Sequence, residues 1–248
     1  MKISIITATY NSASTVRDTL ASIRSQDHPD IEHIIVDGGS TDGTLDIVDD
    51  FPHVAKLISG KDDGIYDAMN KGISVATGQV IGILNSDDIY TDTTVLSAIA
   101  AAFADPAIMT AYADLQYVHF DDLNRVKRTW ITGPLRKKSF YYGWMPPHPT
   151  FFVRREVYDR AGLFNTELRS AADYEIMLRF LVKHGLTSRY IPRVIVKMRV
   201  GGVSNASLRN RLRANREDRL AWKINHLTPY FFTLYMKPLR KISQFLIK

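Results

Sequence analysis

Four apolar runs rich in Ile and Val, Ile3–Thr7, His33–Asp37, Ala55–Ser59 and Val80–Asn85, are spaced along the first part of the chain. The segments between them, Thr15–Gln26, Thr44–Phe51 and Ile65–Ala76, carry apolar residues at the three- and four-residue spacing of an amphipathic helix. Strands that do not alternate apolar with polar are buried on both faces, so strands taken in turn with helices predict a parallel sheet with helices on both sides. The second half is less regular. Its pattern predicts strands near Met109–Tyr117 and Val126–Trp130, a short helix from Arg154 to Ala161, a stronger helix over Ala172–Lys183, and extended chain over Arg189–Val200. The expected fold class is α/β, with a Rossmann-like nucleotide-binding sheet. No internal repeat or Gly/Ser linker breaks residues 1–206, which read as one domain; residues 207–248 read as a basic amphipathic helical extension.

Each of the four runs ends in a polar loop: TATYN, DGGSTDGT, GKDDG and NSDD in turn. Ligands of open α/β sheets bind beyond the carboxyl ends of the strands, so these loops are expected to converge on one crevice. Asp37, at the tip of its strand, can accept hydrogen bonds from a ribose or a base, or simply form a turn before Gly38-Gly39. Asp87 and Asp88 repel one another and offer hard oxygen ligands of the kind Mg²⁺ or Mn²⁺ takes; the alternative is a helix cap or a solvated turn. The third loop adds Lys61, Asp62 and Asp63 just before a helix that contains Asn70 and Lys71.

Composition is that of an ordinary soluble domain, 45% hydrophobic and 23% charged over 248 residues, enough to build its own core. The absence of cysteine excludes disulfides, thiolate metal sites and cysteine nucleophiles, and fits a reducing, cytoplasmic compartment. The opening MKISIIT enters a strand at once and is not expected to be a secretion signal. The net charge of +6 is unevenly placed. Residues 207–248 hold 10 Lys/Arg and 2 Asp/Glu, a balance of +8, while residues 1–206 stand at −2. The basic character therefore belongs to the extension and does not mark a nucleic-acid-binding body. In the extension Arg209, Arg213, Arg216 and Lys223 alternate with Leu208, Leu212, Leu220 and Trp222, followed by a segment mixing aromatics with bases. Such a helix either lies on an anionic membrane surface or packs against protein, its own domain or a second subunit of a homo-oligomer.

Four stretches in order, SIITATYNSASTVRDTLASIRSQ, EHIIVDGGSTDGT, GIYDAMNKGISVATGQVIGILNSDD and AADYEIMLRF, resemble the inverting family-2 glycosyltransferases, especially bacterial enzymes that build surface polysaccharides. The likeness runs over about residues 1–200. It implies the GT-A fold, a nucleotide-sugar donor (a UDP-sugar), a glycan or lipid-linked acceptor, a divalent metal (Mn²⁺ or Mg²⁺) and a position at the inner face of the cell membrane. It also implies roles for residues: Thr7, Thr9, Asn11 and Asp37 would hold the nucleoside; Lys61, Asp63 and Lys71 would assist with the nucleotide; Asp87 and Asp88 match the metal and ribose carboxylates. Two positions before Asp87, where many members carry a third acid, this chain has Asn85. Asp173 matches the family's general base. Inversion needs the acceptor hydroxyl deprotonated on the face opposite the leaving nucleoside diphosphate, so a base across the cleft from the metal makes chemical sense. Spacing alone would make Asp173 a helix cap. Arg199, in MRVGG, is either a cation over the phosphates or a surface arginine at a strand end. His148 and Trp144, in GWMPPHPTFF, either contact the acceptor or pack the loop.

Two other classes compete. A sugar-1-phosphate nucleotidyltransferase would cradle a triphosphate with a glycine-rich basic loop after the first strand, where this chain has TATYNSAST, with neither glycine nor lysine. A polyanion-binding or membrane-surface module would suit the extension, but the carboxylates at the strand ends would repel phosphate backbones unless a cation intervened.

Overall fold

The computed structural model describes residues 1–201 and 208–244. The boundary expected at 206/207 and the side chains of Leu208, Arg209 and Leu212 lie outside the described residues. The strands are β1 (Ile3–Thr9), β2 (Ile31–Asp37), β3 (Val54–Ser59), β4 (Val80–Ile83), β5 (Asp88–Tyr90), β6 (Thr110–Val118), β7 (Val126–Trp130), β8 (Phe152–Arg154) and β9 (Ser188–Arg199). The helices are α1 (Val16–Arg24), α2 (Thr44–Asp49), α3 (Ile65–Val75), α4 (Val95–Ala102), α5 (Arg155–Ala161), α6 (Ala172–Leu178), α7 (Leu208–Ile224) and α8 (Thr233–Ser243). Among the described residues they form one nine-stranded sheet in the order β3-β2-β1-β4-β8-β6-β9-β5, with β7 pairing β6.

The first four strands are parallel; β1, β2 and β4 are buried on both faces, as such strands usually are, whereas β3 alternates half-buried with exposed residues at the sheet edge. All seven residues of β1 are buried. Ile6, Ala8, Ile34 and Val36 pack into the core beneath α3 and α6, whereas Ile3, Ile5 and Val80 pack into the core that α4 covers. A two-residue period with apolar partners on both sides is what leaves an unalternating run in the sequence. Helix α1 closes one side by burying Val16, Thr19, Leu20 and Ile23, one stripe at helical spacing. At the close contact of β4 with β8, a Cβ on Gly82 would stand 2.3 Å from the Phe152 ring, so glycine is what lets that aromatic residue fill the sheet face.

Beyond β4 the sheet becomes mixed. β8 runs antiparallel to both β4 and β6, and β5 runs antiparallel to β9. Both β5 and β8 are three residues long, too short for a hydrophobic period to register, and neither is predicted by the pattern. Helix α4 was also missed, because VLSAIAAA has no polar face to set against an apolar one. The helix expected from Arg154 begins one residue later, Arg154 being the last residue of β8, and the helix expected over Ala172–Lys183 is α6 running into a π-helical turn over Arg179–Lys183.

The basic extension folds back onto the body. Trp222 of α7 is 1% exposed and its Nε1 donates to Tyr174 Oη at 2.8 Å; Asn225 Nδ2 donates to Glu175 Oε1 at 2.8 Å, and Ser170 N to Glu217 Oε2 at 2.6 Å. Helix α7 therefore braces α6. Helix α8 follows so closely that a Cβ on Gly143 would lie 2.4 Å from Lys237 N.

One buried pair makes stability depend on acid. His33 of β2 is fully buried, its Nε2 within 3.0 Å of Thr7 Oγ1 and its Nδ1 3.1 Å from His53 Nε2, and burial together with the charge on His53 lowers its pKa from 6.5 to about 3. A histidine whose folded pKa is depressed is neutral in the fold and protonated in the unfolded chain between those values. Its stabilisation is complete above pH 6.5 and is lost as pH falls toward about 3. Urea titrations over that window are expected to show stability falling by about 1.4 kcal/mol per pH unit from this residue, with a flatter profile in His33→Gln. Parallel profiles for the two proteins would refute it.

Candidate active site

The loops that leave the carboxyl ends of β1, β2, β3 and β4 are tied to each other. Asn11, in a left-handed conformation (φ 48°), donates its backbone N–H to Ser40 Oγ at 2.8 Å and accepts from Thr41 N through Oδ1 at 3.0 Å. Ser12 Oγ and Ser86 Oγ are 2.8 Å apart, joining the first loop to the SDD loop. Gly60 N donates to Asp37 O at 3.0 Å, and a Cβ on Gly38 would meet Asp62 Oδ2 at 2.6 Å, so the second and third loops meet as closely as a glycine allows. From the far side of the sheet Arg199, at the end of β9, donates to Asp87 O at 2.9 Å.

Carboxylates on this sheet fall into two kinds. Glu32, which clamps the opposite, amino-terminal edge, is 3% exposed and accepts from Ser4 Oγ at 2.6 Å, Thr77 N at 2.7 Å and Thr77 Oγ1 at 2.9 Å. Burial works against its charge, yet these donors and Lys56 hold its pKa down at about 2. Asp37 is similar: buried, but held below the ordinary carboxylate range by the Ser40 hydroxyl and N–H, Ser59 and Thr9. Asp88 is the reverse. It is fully buried, its Oδ2 accepts one bond from Asn85 Nδ2 at 3.0 Å, and its Oδ1 has no partner; Asn85 Oδ1 is likewise buried and unpartnered. Burial first, then the charge of Asp87, pushes the Asp88 carboxyl well above its usual range, and the Asn85 amide and Arg199 oppose this without reversing it. Burial raises Asp87 too, against the charge of Arg199.

An unsatisfied buried carboxylate is costly, and a bound cation would relieve that cost. The donors here are all oxygen: the Asp87 and Asp88 carboxylates and the Asn85 carboxamide. Among the described residues no group of three or more His, Cys, Asp or Glu stands ready to hold a metal. The oxygen donors fit a hard divalent ion that takes one or two protein carboxylates and fills its shell with water and substrate phosphate.

Asp173 lies in the first turn of α6, far along the chain from that pair. It is not the cap: Ala171 holds the N-cap position, with no side-chain cap bond. Its Oδ1 accepts instead from Tyr66 Oη of α3 at 3.3 Å. Burial, then the Asp173 charge, raises the Tyr66 hydroxyl well above its ordinary range, so it is a donor and not an anion at neutral pH. Tyr66 stacks on Phe164 with ring centroids 5.6 Å apart, and His148 meets the same ring edge-on at 5.9 Å. Burial lowers His148, while the charge of Asp173 works to raise it. One residue links the two acidic centres. The Tyr117 hydroxyl of β6 is raised by burial and, against the charge of Arg128 stacked 3.7 Å above its ring, by both Asp88 and Asp173. The charges of both acids therefore reach Tyr117.

The other expected site residues divide. Thr9 and Asp37 are at the cleft edge, but their side chains are spent on each other at 3.0 Å and on the loop. Thr7 points into the interior toward His33. Trp144 is 5% exposed, with Nε1 bonded to Thr132 O at 2.7 Å, and belongs to the core with Tyr112 and Phe140. Arg199 is neither a surface arginine nor a free cation: it is 5% exposed and held by Phe120 O, Asp87 O and Asp18, so it supports the SDD loop from beneath. Lys61 and Asp63 are exposed at the rim; Lys71 pairs with Asp67 at 2.9 Å and reaches Lys61 O at 3.3 Å. Tyr66, Tyr117 and the Asp18–Arg199 pair were not predicted. Tyr66 had a signal, standing directly after DDGI at a helix start; Tyr117 had none, since a tyrosine in a strand ordinarily signifies packing.

A doubly covered sheet that collects loose acids at its carboxyl edge and meets a further acid from a second half is of the GT-A type. The chain belongs to glycosyl transferase family 2, whose sequence profile matches residues 4–162. It is 31% identical over 207 residues to a PGL/p-HBAD biosynthesis glycosyltransferase of Mycobacterium bovis, covering 82% of this chain and 78% of that one. The fold is shared with S. aureus TarS 1–349 in its complex with UDP-GlcNAc (TM-score 0.70, 20% identity, 91% of this chain and 65% of that one). The chain spans 43% of the longer TarS chain. It is shared also with the mannosyltransferase PcManGT of Pyrobaculum calidifontis in complex with GDP-Man and Mn²⁺ (TM-score 0.67, 20% identity, 99% and 69%). The family places the protein among glycosyltransferases and not among sugar-1-phosphate nucleotidyltransferases.

Proposed function

We propose that the protein transfers a sugar, with inversion at the anomeric carbon, from a UDP-sugar to a glycan or lipid-linked acceptor in cell-surface polysaccharide synthesis, working at the inner face of the membrane. The observation that carries this reading is a pair of carboxylates from opposite halves of the chain that the fold leaves uncommitted, Asp88 with an unpartnered Oδ1 and Asp173 outside the cap position of α6. Inversion requires a leaving group and a base on opposite sides of the reacting carbon. The tied loops after β1, β2 and β3 hold the nucleoside, with Asn11, Lys61 and Asp63 as the groups still able to meet it. Asp87 and Asp88, with Asn85, would hold a divalent ion, Mn²⁺ or Mg²⁺, whose charge would offset the negative charge of a departing diphosphate. Asp173 takes the proton of the acceptor hydroxyl, and the Tyr66 hydroxyl, donating to Oδ1, orients it.

Of the solved neighbours, one is in complex with UDP-GlcNAc and another with GDP-Man, so the donor nucleotide is the part of this reading to test first. A thermal-shift panel of UDP- and GDP-sugars, each with and without Mn²⁺, is expected to raise the melting temperature with UDP-sugars and only when the ion is present. A response to GDP-sugars alone would replace the donor, and a response indifferent to the ion would remove the metal. The anomeric configuration of the product, read by NMR, tests inversion.

A further inference from the structure

We infer that the exposed face of α8, with the segment before it and the neighbouring 136–142 turn, docks the protein on an anionic lipid bilayer. Phe231, Tyr235 and Leu239 recur every four residues and are 90%, 62% and 54% exposed. They stand on one side of the chain, and Tyr142, 46% exposed, lies beside them, its ring 5.7 Å from that of Phe232. Large apolar side chains grouped in this way mark an interaction surface, whereas single exposed ones do not. The opposite side of α8 is used within the protein: Lys237 donates to both oxygens of Asp218 and lies 3.8 Å above the Tyr174 ring. Residue 174 belongs to α6, so the face is borne by a layer packed directly on the helix that carries Asp173.

Charge selects the occupant. Neither segment that builds this face, residues 123–155 and residues 219–244, contains an Asp or a Glu. Lys137 and Lys138 are exposed at its rim, and Lys138 Nζ lies 5.6 Å over the Tyr230 ring. Rings and aliphatic side chains surrounded by bases, with no acid among them, match the boundary between acyl chains and anionic headgroups. A second copy meeting this face by two-fold symmetry would set base against base. The surface lies on the bilayer and does not cross it, since no helix among the described residues is long and apolar enough to span one.

The inference rests on the proposed function only for which membrane is met; the transfer chemistry does not enter it. The test is co-sedimentation of the full chain with vesicles of phosphatidylcholine alone and of phosphatidylcholine with phosphatidylglycerol, with Mn²⁺-dependent UDP binding measured in solution on the same samples. Wild type is expected to sediment only with the anionic vesicles and to release as salt is raised. Phe231→Ser/Tyr235→Ser/Leu239→Ser is expected to lose at least about tenfold in partition, and Lys137→Gln/Lys138→Gln about thirtyfold, both with unchanged melting temperature and unchanged UDP binding. Equal binding of wild type to both vesicles, or no loss in either variant, overturns the inference. So does light scattering that shows a dimer converted to monomer by the triple substitution, which would assign the face to a second copy. Lost UDP binding in wild type would strike the proposed function and leave this surface untouched.

Discussion

Asp173→Asn is expected to lower sugar transfer by about 10²- to 10⁴-fold while leaving the affinity for UDP unchanged. The carboxamide has nearly the same shape and keeps an oxygen to accept from Tyr66 Oη, so the 3.3 Å contact and the start of α6 survive. What it loses is the ability to take a proton. A loss confined to kcat, with nucleotide affinity and melting temperature intact, separates a base from a residue that merely holds the helix, and Ala171 already occupies the cap. Transfer within about tenfold of wild type would remove Asp173 from the mechanism, since general-base catalysis contributes more than that.

The second large effect has two opposite signs. Asp88→Asn is expected to abolish Mn²⁺-dependent UDP binding in calorimetry and, at the same time, to make the free protein more stable, by about 1–3 kcal/mol. Asp88 is fully buried with Oδ1 unpartnered and stands beside the like charge of Asp87. An amide removes that charge and supplies an N–H donor next to the unpartnered Asn85 Oδ1. A carboxylate kept at a cost to the fold is retained for its ligand. Asp37, whose two oxygens are surrounded by donors, offers the contrast of an acid that the fold itself uses. If Asp88→Asn bound UDP and Mn²⁺ as wild type does, the ion would have to be held elsewhere; if it lost stability as well as binding, Asp88 would be a structural group like Asp37.

The two sides of the site were legible to different degrees. The four apolar runs appear as β1 to β4, and the polar loops after them do meet, because in a parallel sheet every carboxyl end falls on one edge. The pair Asp87-Asp88 could thus be placed from its position after an apolar run. Whether each carboxylate is satisfied could not, because donors to Asp37 come from Thr9, Ser40 and Ser59, on three different segments. The same holds for Arg199. Its burial depends on β9 pairing antiparallel with β5, a three-residue strand with no pattern of its own, so a guanidinium expected over phosphate instead props the backbone of Asp87.

The sequence by itself determined the class of sheet, the order of its first strands and the motifs that collect at their ends, since period and turn chemistry are local properties. Only the tertiary structure decided which acids remain unsatisfied, that the charges of Asp88 and Asp173 both reach Tyr117, and that the basic extension braces α6 with Trp222 while turning Phe231, Tyr235 and Leu239 outward. Those outcomes depend on which side chains meet across the chain, and contacts between distant segments leave no trace in the spacing of either one.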